Sequence, residues 1–502
     1  MTHWLTGGLL RQALSQWTRS LDSPSWVVGA AFVWILISAG LLAIDPLIAF
    51  SAAVAPAVLY IVATRSWARV AIVVGGGLIL LGSANEVGPQ KVVYAAIFVF
   101  CAVISSIRLL LHPPTWFAPF RPIVPIGFVV LACLILSTAA NPGVDLTQTI
   151  RQGIFYVMIP FAPIIGIDAG RDAKARVVMR WIGVIGCVAA AGFAADWLNR
   201  RGVSSLPVGR FILSSLVVPS LGFALAIVRA VYARGFARIM WLIPIVLIPA
   251  AMLVTGTRTN LIVFVALLGV LGTKAKRRVN LFGIVGLVVF ALAMIAFVLP
   301  IVADAVVSQP GFLEGRIQAL QVVLDGNAGA DQSYAMRNDQ YYYSAQWISE
   351  SPWFGKGLGF LPPISLDTPL AIPVRVGIVG SAAVTLYLAA FMMACRKSAK
   401  LHGYTFMHTV VTGIAIVVLA NLPFGPVIED RGFAFMLMLL SMGVGAYVQE
   451  RVDGVPDFPI GRPTKVQVLK APAPAYTHLV RRAEGLGPAE VVADEPAGVS
   501  RG

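Results

Sequence analysis

The chain has 502 residues, of which 58% are hydrophobic and only 12% charged, with a formal net charge of +15. A soluble globular chain carries about 25% charged residues, so the composition excludes both a large soluble enzyme and a disordered protein. The excess of 38 Lys and Arg over 23 Asp and Glu would suggest nucleic acid in a soluble chain, but here its meaning depends on where the charges fall.

Residues 1–24 open with Leu10, Leu14, Trp17 and Leu21 at helical spacing and Arg11 and Arg19 between them. That pattern predicts an amphipathic helix on the inner membrane surface rather than a cleavable signal peptide. A spanning helix needs about 20 mostly apolar residues. Such runs are predicted near 25–44, 46–64, 70–84, 91–107, 122–138, 152–168, 177–196, 211–228, 239–255, 260–273 and 279–300, and then near 370–394, 405–424 and 432–449. Asp45-Pro46, Pro113-Pro114 and Asn141-Pro142-Gly143 punctuate them. The expected fold is an all-α polytopic membrane bundle of about 14 transmembrane helices: eleven in 25–300 and three in 370–449. Between the two sets, 301–369 forms one large, partly helical external loop. The tail 450–502 has few large apolar residues after Leu469 and reads as a disordered cytoplasmic extension.

The positive-inside rule orients this bundle. With both termini cytoplasmic, alternate loops carry Arg65 and Arg69; Arg108 and Arg121; Arg171, Lys174, Arg176 and Arg180; Arg229, Arg234 and Arg238; Lys274, Lys276, Arg277 and Arg278; and Arg396, Lys397 and Lys400. The outer side keeps Lys91, Arg151, Arg200, Arg201, Arg210, Arg258, Arg316, Arg337, Lys356, Arg375 and Arg431. The net positive charge is therefore topogenic. It faces the cytoplasm and the anionic inner leaflet, so the lipid bilayer is the expected partner and nucleic acid is not.

Little in the chain signals a metal or a nucleotide. Cys101, Cys133, Cys187 and Cys395 lack metal-ligand spacing. There is no H-E-x-x-H, no Walker loop and no G-x-S-x-G, so no metal and no cofactor is expected. The scarcity of carboxylates near span centres argues against a proton-coupled transporter. What remains is a set of outer arginines. Arg258 lies in Thr255-Gly256-Thr257-Arg258-Thr259-Asn260 with almost no loop around it. A guanidinium fork held at a bundle mouth suits phosphate oxygens, such as a lipid diphosphate; the alternative is a salt bridge to an outer carboxylate. Arg210, in Gly209-Arg210-Phe211, similarly opens the span predicted near 211–228, with Arg200 and Arg201 before it as further candidates or as solvated surface charge. In the large loop, Leu313, Ile317, Leu320 and Leu324 form a helical stripe, and a second helix is predicted over Arg337–Glu350, ending at Ser351-Pro352. Tyr341 and Ser344 share the face of Arg337 on it. Tyr341, Tyr342, Tyr343, Trp347 and Trp353 suit either the membrane interface or the apolar face of a sugar.

The stretch from Arg337-Asn338-Asp339 through Trp347-Ile348-Ser349-Glu350-Ser351-Pro352-Trp353-Phe354-Gly355-Lys356-Gly357-Leu358-Gly359-Phe360 resembles the signature of the O-antigen ligase and Wzy-type polymerase family. That pattern is an arginine, an aromatic helix and Pro-x-x-Gly-x-Gly-x-Gly in a large periplasmic loop. Arg258 resembles the family's Ser-Arg turn, and Arg210 matches another of its arginines. The resemblance covers about 210–395. It implies a bacterial inner-membrane glycosyltransferase whose donor and acceptor are polyprenyl-diphosphate-linked glycans, with Arg210, Arg258 and Arg337 neutralising the leaving diphosphate. Tyr341, Tyr342, Trp347, Trp353, Gly355, Gly357 and Gly359, with Arg200 and Arg201, fall to substrate binding. A chain-length regulator or a flippase is a further partner of the kind it implies. Family ligases carry a His-Asn pair late in the loop, yet Asp367 to Gly380 contains no histidine. A polymerase therefore fits better than a ligase, and a polysaccharide or glycolipid transporter is the rival of another class. Asp339, Glu350 and Asp367 are the candidates for a base.

Overall fold

The computed structural model describes residues 58–80, 89–141, 143, 145–200, 215–233, 236–254, 267, 332–364, 366, 368–401, 405–422 and 425–453. The expected N-terminal helix, the span 25–44, most of 46–64, nearly all of 260–273, the span 279–300, the first part of the large loop and the tail beyond 453 lie outside the described residues. All regular structure among the described residues is helical. The helices are α1 (Ser66–Leu80), α2 (Pro89–Leu111), α3 (Ile123–Ala139), α4 (Leu146–Asp172), α5 (Ala175–Arg200), α6 (Val217–Tyr232), α7 (Phe236–Val254), α8 (Gln332–Glu350), α9 (Ala371–Leu401), α10 (Thr405–Asn421) and α11 (Phe433–Val452). Short 3-10 turns cover Thr115–Phe120 and Val427–Glu429.

Among the described residues six segments are long and apolar enough to cross a membrane: Val93–Leu111, Thr115–Ala139, Thr147–Asp172, Ala175–Asp196, Ala371–Lys400 and Phe433–Glu450. Ser66–Ile79, Val217–Ala230, Phe236–Met252 and Phe406–Asn421 are apolar but shorter. Leu110, Phe128, Ile135, Trp181, Leu386 and Leu419 are exposed on these helices. Large apolar side chains on the outside and packed ones within are what lipid as a solvent allows, and the chain is an integral membrane protein. Each described helix other than α8 overlaps an apolar run predicted from the sequence, with ends shifted by several residues, and α8 begins five residues before the loop helix predicted over Arg337–Glu350.

The bundle is organised around α11, whose Phe433 to Leu440 are all buried. Its main partner is α4. Between apolar helices in lipid, close backbone approach supplies the packing energy. Gly166 and Gly170 of α4 provide it, four residues apart on one face. A Cβ at Gly166 would strike the Met438 carbonyl and Ser441 Oγ, and one at Gly170 would come within 2.8 Å of the Met442 carbonyl. A second close crossing joins α5 to α6, where a Cβ at Gly186 would be 2.9 Å from Gly222 Cα. α3 packs on α4 and α9, α1 and α2 on α4, α7 on α5 and α6, and α10 on α6 and α9.

Successive helices run in alternate directions, so their ends gather into two polar layers. At one end Arg69 of α1 is fully buried and pairs with Asp168 of α4, also fully buried. Arg69 also donates to the Val62 carbonyl at 2.7 Å. Arg108 of α2 reaches Asp168 at 3.4 Å and Asp172 at 3.1 Å, and Ser66 donates to Asp172 at 2.9 Å. Trp116 Nε1 donates to Gln449 at 2.8 Å. This basic layer holds the residues expected on the cytoplasmic side. The opposite layer holds the glycine-rich stretch and the cleft described next.

Candidate functional site

The motif from Pro352 to Phe360 follows α8 directly and folds against the start of α9. Helix α9 is broken at Gly377, where φ is +70°. A broken helix in an apolar setting leaves carbonyls that need donors. The motif supplies them: Lys356 N donates to the Val374 carbonyl at 2.7 Å and Gly357 N to the Arg375 carbonyl at 2.9 Å. In return Ile378 N donates to the Pro352 carbonyl at 2.8 Å and Val379 N to the Trp353 carbonyl at 3.3 Å.

Three glycines make this possible. Gly355, Gly357 and Gly359 have φ of +70°, +88° and +95°, a region closed to most side chains. All three are buried. A Cβ at Gly355 would be 2.6 Å from Arg375 backbone, and one at Gly359 would strike Thr149. Neighbouring helices then clamp the turn. Ser137 Oγ of α3 lies 2.7 Å from the Phe354 carbonyl and 2.8 Å from that of Arg375. Asn141 donates to the Gly355 carbonyl at 3.0 Å. From α4, Thr149 Oγ1 donates to the Leu358 carbonyl at 2.8 Å, and Gln152 accepts from Gly359 N at 2.8 Å. The side of each glycine that a Cβ would occupy thus faces protein.

Helix α8 presents a mixed face. Gln340 and Ser344 are buried, Arg337 is half-buried on the same face, and Asp339 is exposed. Tyr343 and Trp347 stack with centroids 5.9 Å apart, and Trp347 meets Phe360 edge-on at 5.4 Å. With Ile348, Trp347 and Phe360 cover a small apolar cluster of Leu366, Ala371 and Val374. Trp347 is therefore half-buried, while Tyr341, Tyr342 and Trp353 are exposed. Glu350 is exposed and bonded to Lys356 Nζ; that ammonium holds its carboxyl below the usual range, which makes it a weak base. Arg201, Arg210, Arg258 and Asp367, and the side chain of Arg200, lie outside the described residues.

A polar cleft of about 230 Å³ adjoins the motif. Helix α4 lines it with Gln148, Arg151, Gln152 and Tyr156, α9 with Arg375, and the turn before α11 with Glu429 and Arg431. Arg375 Nε pairs with Glu429 Oε1 at 2.9 Å, and Tyr156 donates to the same oxygen at 2.8 Å. Arg151 donates to Gln148 at 3.3 Å. Behind this wall Asp430 accepts from Ser215 Oγ and Leu216 N at 2.7 Å and from Gly432 N at 2.8 Å. Burial pushes the Asp430 carboxyl above its usual value, against the pull of those donors. Among the described residues no three His, Cys, Asp or Glu side chains gather as a metal site.

Sequence reasoning placed Arg151, Arg375 and Arg431 on this side but did not join them, and it passed over Gln152, Tyr156 and Glu429. One signal was available: Glu429-Asp430-Arg431 packs three charges into a short turn between apolar runs.

Among known proteins, residues 243–372 match the family model described as O-antigen ligase (Wzy_C). The resemblance read from Arg337 to Phe360 is borne out, since that stretch lies inside the match. No curated protein matches the chain.

Proposed function

We propose that this protein is a membrane glycosyltransferase that polymerises polyprenyl-diphosphate-linked glycan repeats on the outer face of the bacterial inner membrane. The O-antigen ligase match over 243–372 supports glycan chemistry on lipid-linked substrates. The observation that carries the reading is the glycine motif, clamped by α3, α4 and α9 beside an arginine-lined cleft. A rigid seat for α8 at one end of a bundle positions reacting groups without ordering cost at the moment of reaction.

In this reading the acceptor sugar hydroxyl attacks the donor's anomeric carbon. The new glycosidic C–O bond forms as the bond to the diphosphate oxygen breaks. Negative charge grows on the departing polyprenyl diphosphate, where fixed cations stabilise most; Arg210, Arg258 and Arg337 take that role. The hydroxyl proton passes to a carboxylate, with Asp339 and Asp367 the preferred candidates, because Glu350 is held by Lys356. Exposed Tyr341 and Tyr342 of α8 and Trp353 of the motif offer ring faces to the sugars, and half-buried Trp347 fixes α8 to the motif.

A polymerase is preferred to a ligase because the segment 366–380 has no histidine. The test is Arg258→Ala and Arg258→Lys in cells that make the polymer. Loss of one transition-state cation costs about 10²–10³ in rate, so long chains disappear from gels in the Ala variant at unchanged protein level. Persistence of long chains in both variants overturns the assigned role. Purified protein given lipid-linked repeats and no other acceptor separates the two activities, since only a polymerase lengthens them.

A further inference from the structure

We propose that an apolar groove between α2, α3 and α4, near the Arg69–Asp168 layer, binds one acyl chain of an anionic phospholipid whose phosphate is held by Arg121. Neither the groove nor its arginine depends on the glycosyltransferase reading.

The groove has a volume of about 140 Å³. A dry apolar cavity of about 150 Å³ takes up benzene, so the space suits several carbons of a hydrocarbon chain. Its side walls are Leu109 and Leu110 of α2 and Phe161 and Ile164 of α4. The polar groups it borders have partners of their own. Ser106 donates to the Ala102 carbonyl at 2.7 Å, and the Pro160 carbonyl accepts from Tyr387 at 3.1 Å. With these satisfied, hydrocarbon is the occupant that costs no desolvation of polar atoms.

The third wall carries a charge at its end. Phe117 of the 3-10 turn and Val124, Phe128 and Leu131 of α3 line the groove from one stretch of chain. Arg121 and Pro122 join that turn to α3 with helical backbone, at φ −52° and ψ −40° and at φ −66° and ψ −23°. The apolar residues therefore follow Phe117 at i+7, i+11 and i+14, and Arg121 falls on the same stripe at i+4. Arg121 is exposed. The carboxylates of this layer are already engaged: Asp168 with Arg69 and Arg108, and Asp172 with Arg108 and Arg171. Those three arginines outnumber the two carboxylates, and Arg121 adds a further positive charge beside them.

Dimensions fit a lipid. From Arg121 to Leu131 a helix rises about 15 Å, half of a hydrocarbon core of about 30 Å. A phosphate at Arg121 thus lays the chain of one leaflet along the stripe, and a long basic side chain reaches headgroup level while its stem stays in apolar surroundings. In the proposed orientation this is the inner leaflet, whose anionic lipids are attracted by basic residues. The occupant would bridge three helices. Two of them, α3 and α4, hold the glycine motif at their other ends through Ser137 and Thr149, so binding stabilises the pair that seats it.

The test titrates delipidated full chain in detergent with dioleoyl phosphatidylglycerol or dioleoyl phosphatidylcholine, read by native mass spectrometry and melting temperature. Wild type is expected to hold one phosphatidylglycerol more tightly than phosphatidylcholine and to melt higher with it. Arg121→Gln lowers that preference about fivefold, the effect of one basic residue at an anionic surface, and leaves the lipid-free melting temperature unchanged. Arg121→Lys keeps the preference. Val124→Phe, which fills the groove, loses the tightly held lipid whichever headgroup it carries. Equal binding of the two lipids by wild type, or an unchanged preference in Arg121→Gln, overturns the site. Wild type that holds neither lipid overturns it too, and its mass then tells whether a second copy or another segment of the same chain covers the groove.

Discussion

A methyl group at Gly377 would land on the Trp353 carbonyl, and its φ of +70° is strained for any side chain. Gly377→Ala is therefore expected to destabilise by at least about 2 kcal/mol and to show as a large drop in melting temperature in detergent. Ser137→Ala removes the hydroxyl beside two carbonyls and should cost about 1–3 kcal/mol; a wild-type melting curve would mean that the clamp on the glycine motif does not depend on it. Asp430 tests burial against hydrogen bonding. A carboxyl raised above its ordinary 3.8 keeps its proton longer in the folded state than in the unfolded one. It contributes stability that is fully present below 3.8 and is lost as pH rises through the folded value. The melting gap between wild type and Asp430→Asn should then widen as pH falls toward 3.8. A narrowing gap would show that the three donors outweigh burial. The glycines were legible in the sequence as a motif, but not their partners. A Pro-x-x-Gly-x-Gly-x-Gly pattern records that backbone must turn and approach something closely; it does not record that Ser137, Asn141 and Thr149 are what it approaches.

Helix α9 illustrates what an apolar run conveys and what it omits. Its hydrophobic length located the span to within a few residues, because crossing lipid is a one-dimensional requirement on composition. The break at Gly377 was not legible, because its cause is the exchange of hydrogen bonds with 352–357, a partner outside the run. Helix α4 carries the same lesson. Gly166 and Gly170 select α11 as neighbour only once the two backbones are seen together. Its Asp168, at the end of the run predicted near 152–168, is fully buried between Arg69 and Arg108, partners that an apolar run does not disclose. Removing one member of such a pair leaves a buried charge alone, at about 3–5 kcal/mol. Asp168→Asn and Arg69→Met should each lower the folded yield sharply. Arg69→Met combined with Asp168→Leu should recover much of it, because the uncompensated charge is gone. If the double variant is as poor as the single ones, the network does more than join α1 and α2 to α4.

For the whole molecule, the charge that defines its composition becomes an orientation. Arg108, Arg121, Arg171, Lys174, Arg396 and Lys397 belong to helix ends and turns on the side of the Arg69–Asp168 layer. Ser137, Asn141, Arg151, Arg375 and Glu429 meet at the other. The alternation expected from the basic loops depends only on the parity of crossings. The cleft could not be read that way: Arg151, Arg375 and Arg431 come from three separate segments, and loop counting assigns each a side without placing any beside another. In the proposed orientation, with the basic layer cytoplasmic by the positive-inside rule, the glycine motif and the cleft lie on the far side, where lipid-linked glycans are joined in the proposed reaction. Truncations fused to reporters test this directly. Green fluorescent protein fused after His112 or Ala173 should fluoresce, and alkaline phosphatase at those points should be inactive. Fusions after Gly143 or Gly425 should give the reverse. Active phosphatase after Ala173 would invert the bundle, move the cleft to the cytoplasmic face and remove the physical basis for its meeting an externally displayed glycan.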